Sequence, residues 1–369
     1  MNRAEEKLIL ELCRFKNPDV KQIEYLCTRG IDQAVVLGQL MFHRVAGGAY
    51  AMLSEHGLLP LFHREFRTSL KAMYESACEK TEAYREFVDQ LAEVLNGAKV
   101  PYALLKGGYL CHAYPCGYRT SNDVDVLLNS KDIDALSSAL YANGFVQGHI
   151  KNQTLVPATR LELIQSRMTR GETVPFCKEI SKPHMQFAEI DLNFSLHERD
   201  EQNGVVSELL TRRVAFNGQK ASAYTLDKYD FVLHLCAHLY KEATVMAWVR
   251  MNRDLSLYKF LDIYMMLFDW NDEDFKNLLN VTFETYLESD VYYALYVTRE
   301  LFGMTSMALD QALEYLELRC PGIELVLHRV KDPTSRQVFR YASTDLMKRL
   351  FSPYRSIDLI PDNLEKGSD

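Results

Sequence analysis

Apolar residues recur at helical spacing through residues 1–97 and again from about Tyr224, with strand-like alternation in between. In TEAYREFVDQLAEVLNG, Phe87, Leu91, Val94 and Leu95 fall on one helix face, and Asn96-Gly97 supplies a stop. The earlier IDQAVVLGQLMFHRVAGGAY has the same apolar density and is broken by Gly47-Gly48. At KVPYALLKGG the texture changes: the run Val100 to Leu105 ends in two glycines, as a buried strand entering a tight turn does.

Residues 123–128, DVDVLL, alternate carboxylate and aliphatic side chains, which puts Asp123 and Asp125 on one face of a strand. Ser130 then caps a helix with Ile133, Leu136 and Leu140 inward, closed by Asn143-Gly144. RLELIQSRM reads as a helix and TVPFCKEI as a strand, which Ser181-Lys182-Pro183 turns into the next. FAEIDLNF alternates again, with Glu189, Asp191 and Asn193 on one face and Ile190 and Leu192 on the other. DKYDFVLHLCAHLYKEA and SLYKFLDIYMMLFDW are helical, and the helical reading continues through LELRCPGIELVLHRV to the C-terminus, where IPDNLEKGSD looks frayed.

The pattern predicts an α+β protein: a small mixed β-sheet core over residues 99–222, between helical regions 1–98 and 223–369. At 369 residues the chain can bury a substantial core without metal or disulfide staples. The net charge of −8 argues against broad nucleic-acid binding, which rests on many Lys and Arg contacts to phosphate. Eight cysteines, scattered without a CxxC pair, exclude a zinc ribbon and a dithiol redox motif and read as reduced thiols. Cys111, His112 and Cys116, between the glycines and the aspartates, read as packing residues. The opening MNRAEEKLILELCRFK lacks the unbroken apolar stretch of a secretory signal, and no window reaches transmembrane length, so a cytoplasmic location without membrane partners is expected.

The candidate chemistry rests on a coincidence. A strand ends in Gly107-Gly108, Asp123 and Asp125 follow after fourteen residues, and a later strand presents Asp191 on its polar face. Two hard cations about 3.5–4 Å apart need oxygen ligands from more than one strand, and a doublet plus a separate carboxylate supplies them. Convergent carboxylates repel one another, and Mg²⁺ is the usual compensation. Gly107 and Gly108, lacking Cβ atoms, suit close approach of phosphate to the backbone. His234 and His238 have the four-residue spacing of paired metal ligands, but no Glu follows His234 and the residues between are apolar, so packing is the stronger reading.

Leu105-Lys106-Gly107-Gly108, the run Arg119-Thr120-Ser121-Asn122-Asp123-Val124-Asp125-Val126-Leu127, and Ile190-Asp191-Leu192 together resemble the DNA polymerase beta-type nucleotidyltransferase superfamily, and more closely its bacterial branch of uncharacterised nucleotidyltransferases. The resemblance covers most of residues 30–265. The sequence departs from the pattern in two places: Gly108 stands where the wider superfamily often has serine, and Asn193 where relatives in the branch often have histidine. The resemblance implies that Asp123 and Asp125 bind two Mg²⁺ ions and that Asp191 joins the ion activating the attacking hydroxyl and serves as general base. Lys106 and Arg119 are expected to neutralise phosphate charge. It further implies that the helices around His234–His238 and Lys259–Asp262 frame an acceptor pocket.

The expected activity is magnesium-dependent transfer of a nucleoside monophosphate from an NTP, with ATP the expected donor, to a hydroxyl or phosphate acceptor, releasing pyrophosphate. A small molecule or natural-product peptide is favoured as acceptor over tRNA or protein. The competing expectation is a catalytically silent nucleotide-binding or interaction module of the same fold.

Overall fold

The computed structural model describes residues 1–196 and 204–362. The fold is α+β, and the chain divides into two compact units, one of Thr68–Phe231 and one of Met1–Arg67 with Val232–Asp369. Helices Arg64–Ala98 and Lys228–Thr244 run from one unit into the other.

The Thr68–Phe231 unit is built on eight strands: β1 (Tyr102–Leu104), β2 (Asp123–Leu128), β3 (Val146–Lys151), β4 (Thr154–Pro157), β5 (Phe176–Lys182), β6 (Met185–Asn193), β7 (Val214–Asn217) and β8 (Ser222–Thr225), in the order β4-β3-β5-β6-β2-β1-β8-β7. The β2–β6 and β1–β8 pairs are parallel and the other neighbours antiparallel. Alternation decides which way each central strand faces. Val124, Val126 and Leu128 of β2 and Ala188, Ile190 and Leu192 of β6 are buried, in one core with Phe87, Leu91 and Leu95 of the long helix and Ile133, Leu136 and Leu140 of helix Ile133–Ala142. Burying each of the Val, Leu, Ile and Phe side chains among them contributes about 1.5–3 kcal/mol. The opposite face of β2 and β6 is thereby left to Asp123, Asp125, Glu189, Asp191 and Asn193.

Three local expectations are corrected here. Ser130 is not the cap of its helix: it opens a 3₁₀ turn, Ser130–Asp132, and the helix starts at Ile133 with no side-chain cap bond. Asn96 and Gly97 lie inside helix Arg64–Ala98, and the stop comes just after it at Lys99, φ 56°. Gly47 and Gly48 are inside helix Ala46–Glu55, and the break falls at Arg44, φ 58°. A Cβ on Gly48 would lie 2.2 Å from the Phe15 ring, so this glycine serves packing rather than a turn.

In the other unit, helices Arg3–Leu12, Val20–Cys27, Gln33–Phe42 and Ala46–Glu55 join Leu257–Leu267, Asp272–Thr285, Glu288–Phe302 and Met307–Arg319. Its tail is not helical throughout. β9 (Arg329–Asp332), β10 (Gln337–Tyr341) and β11 (Leu359–Pro361) form a three-stranded antiparallel sheet. A buried ion pair, Arg355 Nε to Asp254 Oδ1 at 2.9 Å, packs beside it, with Tyr341 Oη 3.3 Å from Asp254 Oδ2. Ile360 and Pro361, expected to fray, are therefore paired; 363–369 lie outside the described residues.

Candidate active site

β1 delivers the chain to the site. Leu105 N–H donates to the Asp125 carbonyl at 3.0 Å, and Lys106 then adopts φ 42°, ψ −121°, before helix Gly107–Ala113 begins. That backbone is strained for a side chain other than glycine, at a cost of order 1–3 kcal/mol. The side chain supplies a counterweight: Lys106 Nζ lies 2.9 Å from Asp125 Oδ1, both groups largely buried. Lys106 is therefore part of the carboxylate cluster.

Gly107 and Gly108 are needed for close packing. A Cβ on Gly107 would fall 1.8 Å from Ser121 Oγ, and one on Gly108 would fall 3.2 Å from Leu104 Cβ. The space beside Gly107 is filled by Ser121, which accepts a hydrogen bond from Arg119 Nη1 at 3.0 Å; the same guanidinium nitrogen donates to the Thr120 carbonyl.

Strand register sets Asp125 beside Asp191, with Asp123 on the same face of β2. β2 and β6 run parallel with Asp125 opposite Asp191 and Asp123 opposite Glu189, and neighbouring strands lie about 4.7–4.9 Å apart. Asp123 is exposed, Asp125 buried and Asp191 half-buried. Asn193 Nδ2 bridges them, donating to Asp125 Oδ1 at 3.4 Å and to the Asp191 carbonyl at 3.1 Å.

Charge crowding shows in the titration of the cluster. Burial, then Asp125, Asp123 and Glu172, push Asp191 well above the usual carboxylate range, against the pull of Lys106. Burial and Asp123 likewise push Glu189 up, with His149 opposing. For Lys106, burial works against the charge, but Asp125, Asp123 and Asp191 outweigh it and hold the ammonium above its usual range. Among the described residues no three His, Cys, Asp or Glu side chains are gathered into a ready-made metal cage. The donor set still suits a hard cation: oxygen ligands from two adjacent strands, with more negative charge than Lys106 neutralises.

The long helix fixes the segment between the glycines and the aspartates. Tyr84 Oη donates to the Asp123 carbonyl at 2.6 Å, Thr81 Oγ1 to the Arg119 carbonyl at 3.3 Å, and Lys80 Nζ to Asn122 Oδ1. Arg85 donates to the carbonyls of Cys111 and Tyr114 at 2.6 and 2.9 Å. Sequence reasoning missed Ser121 and Tyr84. Ser121 stands in the quoted motif run but its packing role does not show there, and no motif marks Tyr84, since their partners lie fourteen and thirty-nine positions away.

His234 and His238, in the other unit, stack with ring centroids 6.4 Å apart, and His238 Nε2 lies 3.5 Å from Glu242, which pairs with Lys259. Cys111 is buried, its Sγ 3.8 Å from the Gly108 carbonyl.

Residues 29–303 match the model of a family described as uncharacterised nucleotidyltransferase, and the chain belongs to that family. No curated protein matches it. Among solved structures it is similar to an antigenic nucleotidyltransferase-like protein from Paracoccidioides brasiliensis, at 15% identity over 66% of this chain and 91% of that one, with a TM-score of 0.36. Among the described residues, no helix is long and apolar enough to cross a membrane.

Proposed function

We propose that this family member is a magnesium-dependent nucleotidyltransferase of the DNA polymerase beta type, moving a nucleoside monophosphate from ATP to a hydroxyl or phosphate on a small molecule or peptide. The observation that carries this reading is the register of β2 and β6, with Asp125 opposite Asp191 and Asp123 on the same face. Asp123, Asp125 and Asp191 are the residues to hold two Mg²⁺ ions. When bound, the ions supply charge neutralisation on the triphosphate and lower the pKa of an attacking hydroxyl.

The chain's own residues do the rest. Asp191, in its carboxylate form, takes the proton of the acceptor hydroxyl. Lys106 places a fixed positive charge where phosphate oxygens gain negative charge. Asn193 orients Asp125, and Tyr84 fixes the backbone at Asp123.

A second reading is favoured by one specific contact. The Lys106–Asp125 ion pair already compensates one of the three aspartates, as it would in a catalytically silent nucleotide-binding module. Calorimetric titration of ATP with and without Mg²⁺, alongside a pyrophosphate-release assay over an acceptor panel, separates the two. Magnesium-dependent ATP binding with pyrophosphate release, both lost in Asp125→Asn, is the expected result. Binding that is indifferent to Mg²⁺ and to that substitution, without release, makes the silent module the answer.

A further inference from the structure

We propose that Cys78 and Cys116 form a dithiol site that low-molecular-weight disulfides oxidise to an intramolecular disulfide, whether or not the nucleotidyl-transfer reading holds. The two cysteines come from different elements. Cys78 lies on helix Arg64–Ala98, and Cys116 lies in the turn closed by Tyr118 N–H to the Pro115 carbonyl at 3.3 Å. Cys116 Sγ donates to the Cys78 carbonyl at 3.4 Å. Gly117 lets the turn settle this close: a Cβ there would lie 3.0 Å from Cys78 Sγ and 2.7 Å from the Tyr74 ring, and its φ of +82° suits glycine.

The other cysteines lack this arrangement. Cys13, Cys111, Cys177 and Cys236 are buried, whereas Cys78 and Cys116, like Cys27 and Cys320, are half-buried, so a small reagent has a route to them. Close approach of two cysteines on separate segments is the geometric precondition for a bridge.

The chemistry balances with one co-reactant. A thiolate of the pair attacks one sulfur of a small disulfide such as oxidised glutathione, forming a mixed disulfide and releasing one small thiol. The second protein thiolate attacks the protein sulfur of that mixed disulfide and releases the other small thiol. Two protein thiols are oxidised by two electrons, one small disulfide is reduced, and the protons leave on the released thiols. The product fastens the turn three residues before Arg119 to the helix that already holds Arg119, Asn122 and Asp123. A cross-link closing a loop of this size restricts the unfolded chain, so the oxidised protein melts at the higher temperature.

The test incubates the full chain with excess oxidised glutathione, alkylates the remaining thiols, and maps peptides by mass spectrometry with and without reduction. The expected result is a Cys78–Cys116 linked peptide pair without glutathione, together with a rise in melting temperature that dithiothreitol reverses. In Cys116→Ser, glutathione stays on Cys78 because nothing displaces it. Quantitative alkylation of both cysteines after oxidation, or glutathione retained on both in the native sequence, overturns the proposal.

Discussion

At the scale of single residues, the glycine turn is governed by a contact across the fold. Gly107 is not in the left-handed region; its hydrogen occupies space that a Cβ could share with Ser121 Oγ only at 1.8 Å. Gly107→Ala is therefore an overpacking change, expected to destabilise by about 1–3 kcal/mol. The cost has a named origin, so it should be relieved by Ser121→Gly in the double variant. Urea denaturation of the two single variants and the double variant gives the coupling directly. Additive losses would mean the clash is absorbed elsewhere, in which case Ser121 does not set the need for glycine.

At the scale of elements, legibility follows the range of the forces involved. DVDVLL and FAEIDLNF were readable as strands because each has one face in a core and one against polar groups, and both β2 and β6 formed where alternation put them. Their parallel pairing, which sets Asp125 opposite Asp191, is a tertiary fact with no local mark. The C-terminal sheet was missed for another reason. Asp332-Pro333-Thr334-Ser335 is a turn signal between β9 and β10, hidden by apolar residues that also fit a helix. The clamp from the long helix was illegible too, because Tyr84 lies among core positions at ordinary helical spacing. Tyr84 is fully buried, and its hydroxyl donates to the Asp123 carbonyl. Tyr84→Phe should cost roughly 1–2 kcal/mol of stability. It should also weaken magnesium-dependent ATP binding through the freed Asp123 backbone. A variant that loses stability with unchanged ATP affinity would confine Tyr84 to packing.

At the scale of the whole molecule, pH acts on a chain with 50 Asp and Glu against 42 Lys and Arg, so general repulsion changes with every titration. One group contributes a separable component. Asp290, in the first turn of helix Glu288–Phe302, is 5% exposed, and its Oδ1 accepts no hydrogen bond among the described residues. Burial pushes its carboxyl up to about 8, with Glu288 adding and Lys331 opposing. In the unfolded chain the same group titrates near ~3.9. Between those values the folded state binds the extra proton, so the stabilisation is complete below about pH 4 and is lost as pH rises to about 8. Asp290→Asn removes this titration while keeping the shape. Melting temperatures of wild type and variant across that range should diverge in the variant's favour as pH increases, and the gap should level off above pH 8. The background repulsion is common to both proteins and cancels in the difference. A gap independent of pH would mean that Asp290 titrates alike in the folded and unfolded chains, and that the buried carboxylate finds a compensating partner once it ionises.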